Sequence, residues 1–384
     1  MKKENPHTAF GHLIANGNAK KIQITFENDM VRNISFVADF PQANMDEFII
    51  TSCLMDAHTH LFLSGTTHMA YRNYQKNMGE TEIVQQIKTH IRRSMQYGIR
   101  AIRDMGSAAD YLQKISVPNN FFITNTGPGY CVKGRYGMFV AVPIAMKDLP
   151  AQIFHRTETY PWIKIIQSGI NSLSSFDEKC ACQFTLDVLT DAVSIAHQKG
   201  VRVAAHANGE EAVRIAIDAG CDSIEHGYKM GKENLRRMAD RQIHWIPTVV
   251  AMKNIARFEL GKEAERENAK RYVDDQMEAV FHAREYGVPI LAGSDAGSFG
   301  VYHGKGLWEE IQIFVKTGMR LEKAIECADA RSAEFLTGIT EFETVSSEQL
   351  DTFVLLHTNI HRFAETQIMP KEVRISGEMI QTSE

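Results

Sequence analysis

Apolar and polar residues alternate at both ends of this chain and change period between them. At the N-terminal end the alternation covers residues 20–36, through Ile22-Gln23-Ile24-Thr25-Phe26 and Ile34-Ser35-Phe36. At the C-terminal end it covers residues 351–380, in Phe353-Val354-Leu355-Leu356, Val373-Arg374-Ile375 and Gly377-Glu378-Met379-Ile380. A period of two sends successive side chains to opposite faces, as in strands. The two ends together predict one small β-sandwich domain, residues 1–47 with 345–384.

Between them, short apolar runs alternate with helical patterns. The strand candidates are Ile49–Met55, Ile99–Arg103, Phe121–Thr124, Trp162–Ile166, Val201–Ala205, Ser223–Glu225, His244–Thr248 and Ile290–Gly293. Residues 80–97 and 185–199 carry apolar side chains three and four apart, the spacing of an amphipathic helix. Gly98, Gly200 and Gly287 each stand between a helical stretch and a strand candidate, where a helix commonly ends on a left-handed glycine. Eight strands alternating with helices predict an α/β fold, a (β/α)₈ TIM barrel over residues 48–344.

Composition narrows the field. A net charge of -5 and the lack of a basic stripe argue against a nucleic-acid partner. No apolar run reaches the ~18 residues that span a bilayer, so no membrane partner is expected. Met1–Lys21 lacks the apolar core of a secretory signal. Cys53, Cys131, Cys180, Cys182, Cys221 and Cys327 form no disulfide framework, and Cys180-Ala181-Cys182 is too tight for zinc spacing. A reduced, cytoplasmic setting is expected.

Six residues at or just after the apolar runs carry the candidate chemistry. His58 and His60 lie two apart, so on a strand they and Asp56 share a face, with Ala57 and Thr59 opposite. In a barrel that face points inward at the mouth, where active sites sit. The alternative is two hydrogen-bonded structural histidines. Lys164 interrupts Trp162-Ile163-Lys164-Ile165-Ile166. Burying an ammonium is costly, so this lysine either snorkels or pairs with a carboxylate, or it is a neutral amine able to add carbon dioxide as a carbamate. The histidines favour the carbamate. His206 and His226 end two further runs, and Asp295 follows the last. Asp295 suits a metal ligand and proton acceptor, or alternatively a turn cap. Together, four imidazoles, a carboxylate and a bridging carbamate read as a two-metal hydrolytic centre.

These residues sit in phrases that resemble the amidohydrolase superfamily: Asp56-Ala57-His58-Thr59-His60-Leu61, Arg103-Asp104-Met105-Gly106, Trp162-Ile163-Lys164-Ile165 with Ser168-Gly169, Ala204-Ala205-His206-Ala207-Asn208-Gly209, Ile224-Glu225-His226-Gly227 and Ala292-Gly293-Ser294-Asp295-Ala296-Gly297. The match is closest to the binuclear branch with a carboxylated lysine, which includes imidazolonepropionase-like and prolidase-like proteins. Imidazolonepropionases proper lack the lysine, so Lys164 argues against that activity. The resemblance implies one divalent ion held by His58, His60, N6-carboxylysine at Lys164 and Asp295. A second is implied on the same carbamate with His206 and His226. Zinc suits these donors first; manganese, cobalt and iron occupy similar sites. A metal-bridging hydroxide would attack a substrate carbonyl. Asp295 would move the proton to the leaving amine, and Tyr228 would steady the oxyanion or a substrate carboxylate.

The chain departs from the prolidase-like pattern after the third strand, where Gly134-Arg135-Tyr136-Gly137 replaces a Gly-Gly-His-like loop. Arg135, Lys133 or Tyr136 is the expected carboxylate contact there, and His303 a further candidate substrate contact. The expected function is hydrolysis of an amide bond in a small molecule, an Xaa-Pro-like dipeptide or N-acyl amino acid. The alternatives are a cyclic amide, urea or carbamate, and a catalytically silent metal-binding barrel. Relatives are often oligomeric, which leaves a homo-oligomer open.

Overall fold

The computed structural model describes residues 6–42, 46–107, 109–156, 160–258, 261–338, 345–346 and 350–382. The first four strands are β1 (His7–Ala15), β2 (Asn18–Glu27), β3 (Met30–Phe36) and β4 (Asp46–Thr51). Then come β5 (Leu54–Thr59), β6 (Ile99–Asp104) and β7 (Phe122–Asn125). Next are β8 (Gly129–Val132), β9 (Ala141–Ile144), β10 (Trp162–Ile166), β11 (Arg202–Ala207), β12 (Ser223–His226) and β13 (His244–Ile246). The chain closes with β14 (Phe353–Leu356), β15 (Pro370–Ile375) and β16 (Glu378–Ile380).

Both termini do build one β unit, but its strands hydrogen-bond as a single seven-stranded sheet in the order β16-β15-β14-β4-β1-β2-β3. β4 joins the halves, parallel to β1 and antiparallel to β14. The sheet folds back on itself: Glu372 of β15 accepts from the Val31 N–H of β3, and Arg374 donates to the Val31 carbonyl. Ile22, Ile24, Phe26, Phe48, Phe353 and Leu355 fill the inside. The expected boundary at 344/345 adjoins residues 339–344, which lie outside the described residues.

The α/β core is parallel. One sheet runs β5-β6-β7 and another β13-β12-β11-β10-β8-β9. Residues 289–296 hydrogen-bond to both. Trp245 donates to Pro289 O (2.9 Å) and Leu291 to Trp245 O (2.9 Å), while Ala57 donates to Ala292 O (3.0 Å) and Asp295 to His58 O (2.7 Å). The eighth strand candidate thus lies between β13 and β5, but it makes only isolated bridges, Trp245↔Ile290 and Thr59↔Ala296.

Two further expectations are corrected. The run Ile49–Met55 is two strands in two sheets, since β4 ends at Thr51 and β5 begins at Leu54. Alternation along β5 is also broken, because its register against β6 shifts at Leu54/Met55 and again at Asp56/Thr59. Asp56 therefore does not join His58 and His60; its carboxylate accepts from Ser294 N (2.9 Å) and Ser294 Oγ (2.5 Å) and ties the 294 loop to β5. The helices agree with the apolar spacing: Glu80–Gln96 and Leu186–Gln198 are followed by Gly98 and Gly200 at positive φ, and Glu263–Tyr286 ends on Gly287 at φ 82°. Among the described residues no helix is long and apolar enough to cross a membrane.

Candidate metal centre

Parallel strands deliver the predicted polar residues from their C-terminal ends. His58 lies in β5 and His60 just after it, Lys164 at the middle of β10, His206 in β11, His226 at the end of β12 and Asp295 beyond Ile290. All six are buried. The rings of His58 and His60 are 5.5 Å apart between centroids, those of His58 and His226 4.9 Å, and those of His206 and His226 4.6 Å. The ligand atoms of His58, His60 and Asp295 all lie within 4.8 Å of one another. Gly293 makes this approach feasible, since a Cβ there would stand 2.8 Å from the His58 Cβ. Gly129 does the same for Lys164, whose Cβ would be 3.0 Å from an added methyl.

Hydrogen bonds on Nδ1 of His58 and His60 decide which nitrogen of each is free. His58 Nδ1 is 2.6 Å from Glu225 Oε2, so it donates and Nε2 keeps its lone pair. His60 Nδ1 donates to Gly106 O (2.9 Å), again freeing Nε2. His226 Nδ1 is 2.7 Å from Thr248 Oγ1. His206 differs: its Nε2 lies 3.3 Å from Gly169 O, an acceptor, and 3.4 Å from Asn208 Nδ2, a donor. Burial pushes the imidazoles toward the neutral form, His60 down to about 4, His206 to about 3, and His58 and His226 well below the usual range. A neutral imidazole with a fixed tautomer is what a metal ion requires.

Lys164 is lowered to about 8, first by burial and then by Arg103, with Glu225 and Asp295 opposing. Its Nζ and the Nε2 of His58 are buried without a hydrogen-bond partner. Orphaned polar atoms at this depth are costly. A cation opposite His58 and a carbamate on Lys164 would satisfy both, so the residues fit a divalent metal. Asp295 turns Oδ1 toward His58 Nε2 (3.5 Å) and His60 Nε2 (3.6 Å), and Ser298 Oγ donates to its Oδ2 (2.6 Å). Burial raises its carboxyl to about 6, against that hydrogen bond and the attraction of Lys164. His226, Thr248 and Asp295 all have positive φ (68°, 49° and 56°). Such backbone is rare outside glycine, most of all for a β-branched threonine, and it clusters at functional sites.

Five of the six, His60, Lys164, His206, His226 and Asp295, line a cavity of about 270 Å³ that also includes Tyr136, Tyr228, Asn208 and Arg72, and His58 lies beneath them, fully buried. Tyr228 is buried and donates its hydroxyl proton to Thr248 O (3.1 Å). Tyr136 packs against the His206 ring. Two expected contacts are placed elsewhere. Arg135 lines a neighbouring cleft with Cys180 and Ala181 and donates to Cys182 O (2.6 Å). His303 is buried and stacked on His90 at 3.9 Å, outside the cavity wall. Glu225 was not singled out from sequence, although a carboxylate inside the buried strand Ser223–His226 gives the same signal as Lys164 in its strand. Glu225 links His58 to Arg103, whose Nη2 donates to Oε1 at 2.7 Å and whose guanidinium lies over Trp162.

Residues 49–338 match the model of the amidohydrolase family, and the chain belongs to that family. An uncharacterized protein of Mycobacterium tuberculosis is 28% identical over 285 residues, 72% of each chain. Among solved structures, a Xaa-Pro dipeptidase with bound methionine in its active site is 22% identical, covers 98% of this chain and 99% of its own, and superposes with a TM-score of 0.69. A prolidase complexed with N-methylphosphonate-L-proline is 16% identical with the same coverage and a TM-score of 0.71. These structural neighbours are prolidase-like amidohydrolases and establish the likeness of fold.

Proposed function

We propose that this chain is a binuclear metal-dependent hydrolase of an amide bond in a dipeptide or N-acyl amino acid. The observation that carries the reading is the convergence of four buried imidazoles, an unpartnered buried amine and a carboxylate, all but His58 on the wall of one cavity. The likeness to a Xaa-Pro dipeptidase and a prolidase supports the substrate class. In this reading His58, His60 and Asp295 would hold one ion and His206 and His226 the other, and a carboxylated Lys164 would serve as a further ligand. Bound divalent ions, zinc first by donor type, acidify water and polarise a carbonyl.

The chain's own residues supply the rest. Glu225 and Gly106 fix the tautomers of His58 and His60. Asp295, held through Oδ2 by Ser298, takes the proton of the attacking water and hands it to the leaving nitrogen. Tyr228 spends its proton on Thr248 O, so we assign it to the cavity wall; oxyanion donation would first have to break that bond. The same reading takes β5, β6, β7 continued by β8, β10, β11, β12, β13 and residues 289–296 as the eight strands of a (β/α)₈ barrel, and the terminal sheet as a separate unit.

Metal content and a substrate screen test the proposal. Close to two divalent ions per chain are expected, with chelator-sensitive turnover of Xaa-Pro dipeptides or N-acyl amino acids in preference to ureas. A metal-free protein as active as the loaded one would overturn it.

A further inference from the structure

One cationic side chain in the cavity has no part in the chemistry above. Arg72, on the short helix Met69–Tyr74, lines the cavity on the side of Asp295, with which it interacts electrostatically. Its Nη1 donates to three backbone carbonyls, Ser64 O (3.1 Å), Thr66 O (3.4 Å) and Gly297 O (3.3 Å). These bonds fix the guanidinium between the loop after β5 and the loop that carries Asp295. All of them fall on one nitrogen. Among the described residues, Nε and Nη2 have no protein acceptor, and these two form the side-on fork that matches a carboxylate bidentately. Arg72 is the one arginine among the described residues lining the cavity, since Arg135 is turned into the neighbouring cleft.

The surrounding wall is apolar: Leu63, Phe139, Ile170, Met252, Ile255 and Phe299. It offers a second carboxylate no cation, but accepts a hydrocarbon side chain.

We infer that Arg72 is the specificity-determining anchor for the free carboxylate of the substrate, and that the substrate is a monoanion with an apolar side chain. The inference rests on the hydrolase reading for the identity of the ligand as a substrate, but not for its binding. Anchored on Arg72, such a molecule presents its amide bond to the neighbouring Asp295 and imidazoles.

The test compares N-acetyl-L-leucine with its neutral amide, N-acetyl-L-leucinamide, on metal-loaded protein. Calorimetric binding is measured for the wild type, Arg72→Met and Arg72→Lys. The wild type is expected to favour the acid, and Arg72→Met to lose about ten- to hundred-fold of that preference, the scale of a charge-assisted bidentate contact. Arg72→Lys keeps the charge without the fork and restores part of it; should Arg72→Met not fold, Arg72→Lys decides by the same ratio. A wild type that does not favour the acid overturns the inference. So does a variant that weakens acid and amide by the same factor, because that marks a loop clamp. Turnover of the same compounds is read separately. Acid that binds through Arg72 but is never cleaved would sink the hydrolase reading and leave the anchor standing.

Discussion

Glu225 Oε2 lies 2.6 Å from His58 Nδ1, with both side chains shielded completely from solvent. The carboxylate also takes Arg103 at 2.7 Å and Ser223 Oγ at 2.6 Å, so it is fully engaged below the imidazoles. Such a partner orients a ligand and raises its basicity. Glu225→Gln is expected to weaken metal retention by about 10- to 100-fold, read by competition with a chelating dye. It also leaves Arg103 without its counter-charge, which costs about 3–5 kcal/mol when a buried pair is broken, read by denaturant unfolding. Unchanged metal affinity would show that the tautomer of His58 is set by something else.

The environment of Lys164 is one that a modification explains. Its amine is buried with no hydrogen-bond acceptor. Carboxylation would supply two oxygens and turn an uncompensated donor into a ligand. Protein loaded with metal in ¹³C-bicarbonate is expected to show a carbamate resonance by NMR that disappears in Lys164→Ala. That variant is expected to retain fewer ions per chain. Full metal occupancy without the resonance would rule the carbamate out.

The parts of this site that sequence reveals are those where a polar residue breaks an apolar run. Lys164 inside Trp162–Ile166, and His206 and His226 at the ends of buried strands, stand out because burial makes them expensive. The features that stayed hidden depend on contacts between distant segments. Arg72 reads as part of a solvated helix, Tyr71-Arg72-Asn73, until the Gly297 loop folds over it. Arg135 looks available until its guanidinium is claimed by Cys182 O. His303 is withdrawn from the cavity by stacking on His90. In the fold, Gly129 opens β8, a strand that no apolar run announces and that pairs with β10 beside Lys164. The split of Ile49–Met55 between two sheets was equally hidden, because one continuous apolar run serves both cores.

Glu310, which is not a candidate metal ligand, gives a pH dependence of its own. Burial pushes its carboxyl up to about 8, although the backbone N–H groups of Val250 and Val249 and the nearby Lys253 favour the anion. Its ordinary value is 4.5, so between these limits the folded chain binds more protons than the unfolded one. The contribution to stability is then complete below the unfolded value and is lost as pH rises toward the folded one. Glu310→Gln cannot titrate. From pH 5 to pH 8 the wild type is expected to lose stability relative to this variant, on the order of 2–4 kcal/mol. Denaturant melts across that range check it, and parallel curves for the two proteins would refute it.

Asp295 offers a substitution that separates charge from backbone. Its φ of 56° is left-handed, so alanine there would change conformational preference along with chemistry. Asparagine tolerates that region, keeps the volume, and can still accept from Ser298 Oγ as Asp295 does at 2.6 Å. What Asp295→Asn removes is the charge facing His58 and His60 Nε2 and the ability to take a proton. Turnover is expected to fall by about 10²- to 10⁴-fold, the range of a lost general base. The unfolding midpoint of the metal-free protein is expected to stay close to that of the wild type. Activity within tenfold of the wild type, with metal bound, would mean that another group carries the proton.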